Sequence, residues 1–151
     1  MTTALLLLTT CLALLASAVK RVPAGQVHSL YRGGKLLRLL QPGVHLVLPG
    51  LQRIGHRIDL SGQVLHFREA RASAHDIHGT VYWQVLEPER ADAVIDQVEQ
   101  LIRTGALDAL QAEPAEAGED RRHLGHRLKQ RLNAALRERG MMVTRVDLDL
   151  A

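Results

Sequence analysis

The chain opens on an apolar block with no charged side chain. Residues 2–19, TTALLLLTTCLALLASAV, run directly into Lys20 and Arg21. As one helix, at ~1.5 Å per residue, the block would reach roughly 27 Å, close to the ~30 Å hydrocarbon thickness of a bilayer. The pattern therefore predicts an N-terminal transmembrane helix with a basic flank over residues 1–21, and a single-pass membrane location. The triplet Ala16-Ser17-Ala18 also reads as a small-x-small cleavage site, which leaves a second reading: a soluble periplasmic or secreted binding domain released after Ala18. Charge placement favours the anchor. A signal peptide opens with basic residues, whereas here the paired cations follow the apolar run.

From Val22 to Leu65 branched aliphatics are interrupted by Pro23, Gly25, Gly33-Gly34, Pro42-Gly43, Pro49-Gly50 and Gly62, which predicts short strands joined by tight turns. Pro42-Gly43 suits the central positions of a type II turn. In the following GVHLVLP, Val44, Leu46 and Leu48 alternate with His45 and Val47, so the former are expected on a buried face. DIHGTVYWQVLE predicts a clearer strand, with Ile77, Gly79, Val81, Trp83 and Val85 inward and His78, Thr80, Tyr82 and Gln84 outward. Glu87-Pro88 then starts a helix with proline at its first position. Its core stripe is Ala91, Val94, Ile95, Val98, Leu101 and Ile102, and its solvated face carries Asp92, Asp96 and Glu99. Residues 111–120, QAEPAEAGED, lack apolar periodicity and read as a flexible acidic connector. A second long helix is expected from about Arg121 to Arg139. Leu124, Leu128, Leu132, Ala135 and Leu136 form its stripe, and Gly140 is its stop. A final strand places Val146, Leu148 and Leu150 on one face and Arg145, Asp147 and Asp149 on the other. The pattern is α+β: an anchor, then one domain over residues 22–150 with a mixed or antiparallel sheet of short strands and two main helices.

Charge divides unevenly along this order. Residues 20–71 carry nine Lys or Arg against Asp59 and Glu69, whereas residues 72–151 carry ten against fourteen acids. Juxtamembrane cations gain roughly 1 kcal/mol each near anionic headgroups, so Lys20, Arg21, Arg32, Lys35 and Arg38 are the expected contacts to a lipid surface. They also favour a cytoplasmic domain under the positive-inside tendency. The more distal Arg53, Arg57 and Arg68 read as ordinary solvated cations. Scarce aromatics (Tyr31, Phe67, Tyr82 and Trp83) leave no stacking platform, so nucleic-acid binding is not expected. The single cysteine, Cys11, lies in the apolar block and excludes an intramolecular disulfide.

This order of elements and its turn motifs resemble the SPFH or Band 7 domain of stomatins, prohibitins, flotillins and bacterial slipins. Val22, Pro23 and Gly25 match the "V-P-x-G" start, and Tyr31, Arg32 and Gly34 the aromatic-Arg-x-Gly turn. Leu40, Pro42, Gly43, His45 and Pro49 match "L-x-P-G-x-H-x-x-x-P"; Arg53, Arg57 and Asp59 match "R-x-x-x-R-x-D". Glu87-Pro88 is similar to the "D-P" before the family's first helix. Leu132, Leu136, Gly140, Val143, Val146 and Leu148 meet its closing pattern. The resemblance implies a membrane-anchored scaffold or regulator that organises membrane microdomains or modulates a membrane protease or channel, with possible homo-oligomers. Three departures narrow it. Relatives usually have a helical segment at QAEPAEAGED and a Lys-Asp-Asn-like turn at RASAHDIHG. They also continue into a long coiled coil, whereas this chain stops at Ala151, so assembly into a large cage is not expected.

Chemistry-bearing patterns are sparse. Of eight histidines, His75 and His78 alternate to opposite faces of a strand, and His123 and His126 share a helix face without cysteine or carboxylate partners for a standard metal site. His45 is expected to hydrogen-bond locally, and His28, His56 and His66 show no partner pattern. Ser29, Ser61 and Ser73 lack a nucleophile-elbow context, and no phosphate or dinucleotide fingerprint occurs. Arg32-Gly33-Gly34 reads as a hairpin turn rather than a phosphate cradle. Neither catalysis nor a cofactor is expected.

Overall fold

Two compact units follow one another along the chain, Met1–Asp59 and Leu60–Ala151. The computed structural model describes residues 1–70, 76–112 and 120–150. Among the described residues all strand pairing is antiparallel, in a two-stranded ribbon and two three-stranded sheets rather than one mixed sheet.

The first unit begins with α1 (Thr2–Ala18). It is 17 residues long, about 25 Å at the α-helical rise. The expected span is thus shortened: among the described residues no helix is long and apolar enough to cross a membrane. The cause is strand pairing. Val19 leaves helical geometry at φ −76° and ψ 119° and opens β1 (Val19–Val22), which pairs with β4 (Gly43–Leu46) in the register Val19↔Leu46 to Val22↔Gly43. The Val47 N–H donates to the Ala18 carbonyl at 2.8 Å and extends that ladder to the end of the helix.

Strands β2 (Gln26–Arg32), β3 (Lys35–Leu40) and β5 (Gln52–Asp59) form a sheet in the order β3-β2-β5. A two-residue turn joins β2 to β3, with Gly33 at φ 58° and Gly34 at φ 79°. Both angles are those of a type I′ turn, which matches the twist of the flanking strands and excludes most side chains. The type II geometry expected at Pro42-Gly43 occurs instead at Pro49-Gly50, where Leu51 N–H donates to the Leu48 carbonyl at 3.3 Å and Gly50 has φ 78°. Val22, Leu30, Leu40 and Val47 make the buried cluster between ribbon and sheet.

That cluster reverses the expected face of β4. Alternation puts Ala18, Val22 and Val47 on one side of the ribbon, all buried, and Val19, Arg21, Val44 and Leu46 on the other, all exposed. Leu48 is exposed as well. The strand alternates as read, but Gly43 and His45, not Val44 and Leu46, face inward beside Val22.

In the second unit, β7 (Ile77–Val85) lies between β6 (Gln63–Glu69) and β8 (Met141–Leu150). Its inward residues are those expected, and every second position is buried along its length. Gly79 stands opposite Phe67, whose ring occupies the place of a side chain there: an added Cβ would lie 2.1 Å from Phe67 Cζ. A register shift in β8 at Thr144 changes the alternation, so Met141 and Val143 are buried ahead of it and Leu148 after it. The Thr144 hydroxyl donates to the Tyr82 carbonyl at 3.1 Å across the irregularity.

The helix after Glu87 is three pieces: α2 (Pro88–Ala91), a 3₁₀ segment (Asp92–Gln97) and α3 (Val98–Ala112). The tighter 3₁₀ winding shifts the phase of the stripe. Asp92, expected in solvent, is buried, while Val94 and Ile95 are only half-buried. The expected connector overlaps α3 at Gln111 and Ala112, and its residues 113–119 lie outside the described residues. The Asp120 side chain accepts from Arg122 N–H at 3.1 Å and starts α4 (Arg121–Leu136). Leu124, Leu128, Leu132 and Leu136 are buried as expected; Ala135 is exposed. Asn133 ties α4 to β8 in both directions, accepting from Val143 N–H at 2.7 Å and donating to its carbonyl at 3.0 Å.

Candidate membrane-facing surface

Helix α1 carries no charged side chain, and of its residues only Ala18 is buried. Its leucines stand in the open, Leu5, Leu6 and Leu7 more than 60% exposed. Three of its hydroxyls turn back on the helix: Thr9 and Thr10 donate to the Leu6 carbonyl and Ser17 to that of Leu14, at 2.8–2.9 Å. These three hydroxyls are satisfied within the helix, which has no charged side chain.

The exposed ribbon face continues this surface without a linker. Val19, Val44 and Leu46 share it with Arg21, and Leu48 and Leu51 lie at the adjoining turn. That turn satisfies its own backbone: Leu51 and Gln52 N–H donate to the Leu48 carbonyl, and Leu48 N–H donates to Gln52 Oε1 at 3.1 Å.

All five expected basic contacts are exposed. Lys20 and Arg21 lie on β1, Arg32 and Lys35 face each other across the type I′ turn, and Arg38 is farther along β3. The structure groups them by strand and does not gather them into one cluster. Sequence charge also concealed a feature of the second unit: within its acidic half, α4 carries Arg121, Arg122, Arg127, Lys129 and Arg131 and no acid.

The motif positions turn out to build the frame. Pro23 and Gly25 sit in the β1–β2 turn, closed by Gln26 N–H to the Pro23 carbonyl at 3.3 Å. Gly34 belongs to the β2–β3 turn, Pro42 and Gly43 lead into β4, and Pro49 forms the turn after it. The Arg53 guanidinium stands 6.0 Å from the centre of the Tyr31 ring, within cation–π range. Asp59 pairs in register with Gln26, and Pro88 is the first residue of α2. His45 bonds locally as expected, its Nε2–H donating to the Gln41 carbonyl at 2.6 Å.

Two residues that sequence left without a role are central to the first unit. Ser29, fully buried, sits where the β2–β5 register shifts. Its hydroxyl accepts from His56 N–H at 2.7 Å and donates to the His56 carbonyl at 3.3 Å, replacing the ladder that the bulge interrupts. His28 is buried opposite Arg57, with Nε2 3.4 Å from Gln26 Oε1. Burial first, then the charges of Arg57 and His45, lower its pKa below the ordinary 6.5. The unfolded chain therefore binds this proton more readily than the folded one, so stability is complete above pH 6.5 and is lost as pH falls below it toward the folded pKa. Amide exchange in β2 is expected to accelerate between about pH 8 and about pH 5 more in the wild type than in His28→Gln, after correction for intrinsic exchange.

Among the described residues the remaining histidines form no such centre. His56 meets Tyr31 edge-on at 6.0 Å, His66 Nδ1 lies 3.0 Å from Thr80 Oγ1, and His123 and His126 are exposed on α4. His75 and Ser73 lie outside the described residues. Among the described residues no three His, Cys, Asp or Glu side chains are grouped to hold a metal ion.

A family model described as SPFH domain / Band 7 family matches residues 20–150. The match begins two residues after α1 ends.

Proposed function

The chain belongs to the SPFH domain / Band 7 family, whose members are in general non-enzymatic scaffolds, and on that premise we propose that it is a membrane-held scaffold whose α1 embeds in the bilayer. The observation that carries this reading is α1 itself, uncharged and exposed on all sides, leading directly into the domain. At about 25 Å it is shorter than the hydrocarbon layer, so it embeds by local thinning of the bilayer and by the reach of Lys20 and Arg21 to the headgroups. The basic residues Lys20, Arg21, Arg32, Lys35 and Arg38 favour the anionic cytoplasmic leaflet. Held at that surface, the domain would organise neighbouring lipid and proteins by placement, with a membrane protease, a channel or further copies of the chain as partners. Exposed faces of α3 and α4 and the sheet edges are available for such contacts.

Mass spectrometry of the chain recovered from membranes tests this. The expected product retains the residues of α1 and resists alkaline extraction. A chain beginning at Val19 and found in the soluble fraction would contradict the proposal and favour a released binding domain.

A further inference from the structure

We infer that the groove between α3 and α4 is the seat of an amphipathic helix contributed by a partner protein, one with a narrow apolar stripe, acidic side chains along one flank and basic side chains along the other. The inference deepens the scaffold reading above and rests on it for there being a partner. The groove has a volume of about 450 Å³. Its wall on α3 runs from Leu101 to Ala112, about 17 Å or three helical turns. The two helices meet closely beneath it: a Cβ added to Gly105 would lie 3.0 Å from Leu132 Cδ2. Two residues that helical periodicity sends to the core come to rest here instead. Leu101 is only half-buried and Ala135 is exposed, and both line this groove. The apolar stripes of α3 and α4 thus extend past the core of their own unit into a space that the described residues leave open.

Shape and charge identify the occupant. Gly105, Ala109, Ala112 and Ala135 keep the lining shallow and smooth, so a third helix can lie on it at the usual interaxial distance of about 8–10 Å with its own side chains filling the groove. The two banks carry opposite charge. Asp108 stands on the α3 side, Arg131 and Arg139 on the α4 side, and all three are exposed. An alkyl ligand with a single head group answers one bank only, whereas a helix with acids on one flank and bases on the other answers both. Because reversing a helix in a groove exchanges its flanks, the opposed banks also fix the direction in which it lies. A second copy of the chain offers no counterpart among its described helices: α1 has no charged side chain, and α3 and α4 turn their buried stripes into their own unit.

The test uses the full chain in phosphatidylcholine nanodiscs, with empty nanodiscs as the blank. The probe is a fluorescein-labelled, hydrocarbon-stapled helical peptide with an alanine–leucine stripe, glutamates along one flank and lysines along the other. Fluorescence anisotropy is expected to show saturable binding above the blank. Ala135→Trp, which fills the groove from an exposed position, should weaken binding by about ten-fold or more. Arg139→Glu should weaken it several-fold, and neither variant should change the circular dichroism. A peptide with the same stripe but lysines on both flanks should bind several-fold more weakly than the mixed one. No saturable binding above the blank, or binding that neither Ala135→Trp nor the change of flank alters, would overturn the inference. Disulfide formation between Ala135→Cys chains in the Cys11→Ala background, with no peptide bound, would overturn a foreign helix as the occupant in favour of a second copy. Alkaline extraction of the same chain from membranes reads α1 separately: extraction with peptide binding intact would contradict the membrane-held reading and leave the groove standing.

Discussion

Gly140→Ala is expected to destabilise the second unit by about 2–5 kcal/mol, combining the left-handed backbone penalty with overpacking. Gly140 follows the 3₁₀ turn Arg137–Arg139 at φ 72° and ψ 24°. Its carbonyl accepts two N–H groups, those of Leu86 and Glu87, each at 2.9 Å. It thereby joins the end of α4 to the start of α2. A methyl group at this position would stand 2.5 Å from the Glu87 carbonyl oxygen and 2.8 Å from Glu87 Cβ. The obstruction is backbone, so rotating a side chain cannot relieve it. Thermal unfolding should fall by about 10–30 °C, on the scale of a domain this size. Gly62→Ala is the control, because its Cβ would meet nothing within 4 Å and its φ is not in the left-handed region. An unchanged midpoint for Gly140→Ala would mean that the α4–β8 turn does not hold the α2 start.

The second large effect concerns the anchor. Leu8→Arg combined with Leu12→Arg places two charges one helical turn apart on a helix whose corresponding leucines are each 58% exposed. Helix propensity changes little, since leucine and arginine are near equals. At the centre of a membrane helix each arginine costs about 2.5–3.5 kcal/mol. Two of them should therefore reduce membrane partition by roughly a thousand-fold or more. Cell fractionation should move the variant out of the alkali-resistant membrane fraction while its circular dichroism stays that of a folded domain. Retention of both charges in the membrane fraction would show that α1 is not what holds the chain there.

How much of this was legible before the structure depends on what each pattern encodes. Strand β7 and helix α4 were readable because both bury one face against protein, so the period alone places Ile77, Val81, Trp83, Leu124, Leu128 and Leu132 correctly. Gly140 was readable as a stop because the chain must turn left-handed there. The buried face of β4 is the reverse of the one its pattern predicts, for a physical reason. Alternation reports which residues share a face, but not whether that face meets protein or something else. The pattern of β4 predicts Val44 and Leu46 in the core, whereas the core lies behind Val22 and Val47. Long-range pairing also ended α1 one residue early, since no local signal separates Val19 from the leucines before it. The buried Asp92 and the shift at Thr144 were hidden for a related reason: a 3₁₀ turn or a bulge changes phase without changing composition. The motif residues identified the family, yet the structure places most of them in turns and strand pairs.

Flotation of the intact chain with purely zwitterionic vesicles in roughly 1 M salt, where screening falls to ~3 Å, isolates apolar insertion from headgroup attraction. An embedded α1 predicts that the chain rises with the lipid under these conditions as fully as at low salt. A chain that stays at the bottom of the gradient, or floats only at low salt with anionic lipid, would contradict the account, because its membrane contact would then be electrostatic and the exposed leucines of α1 would have another partner.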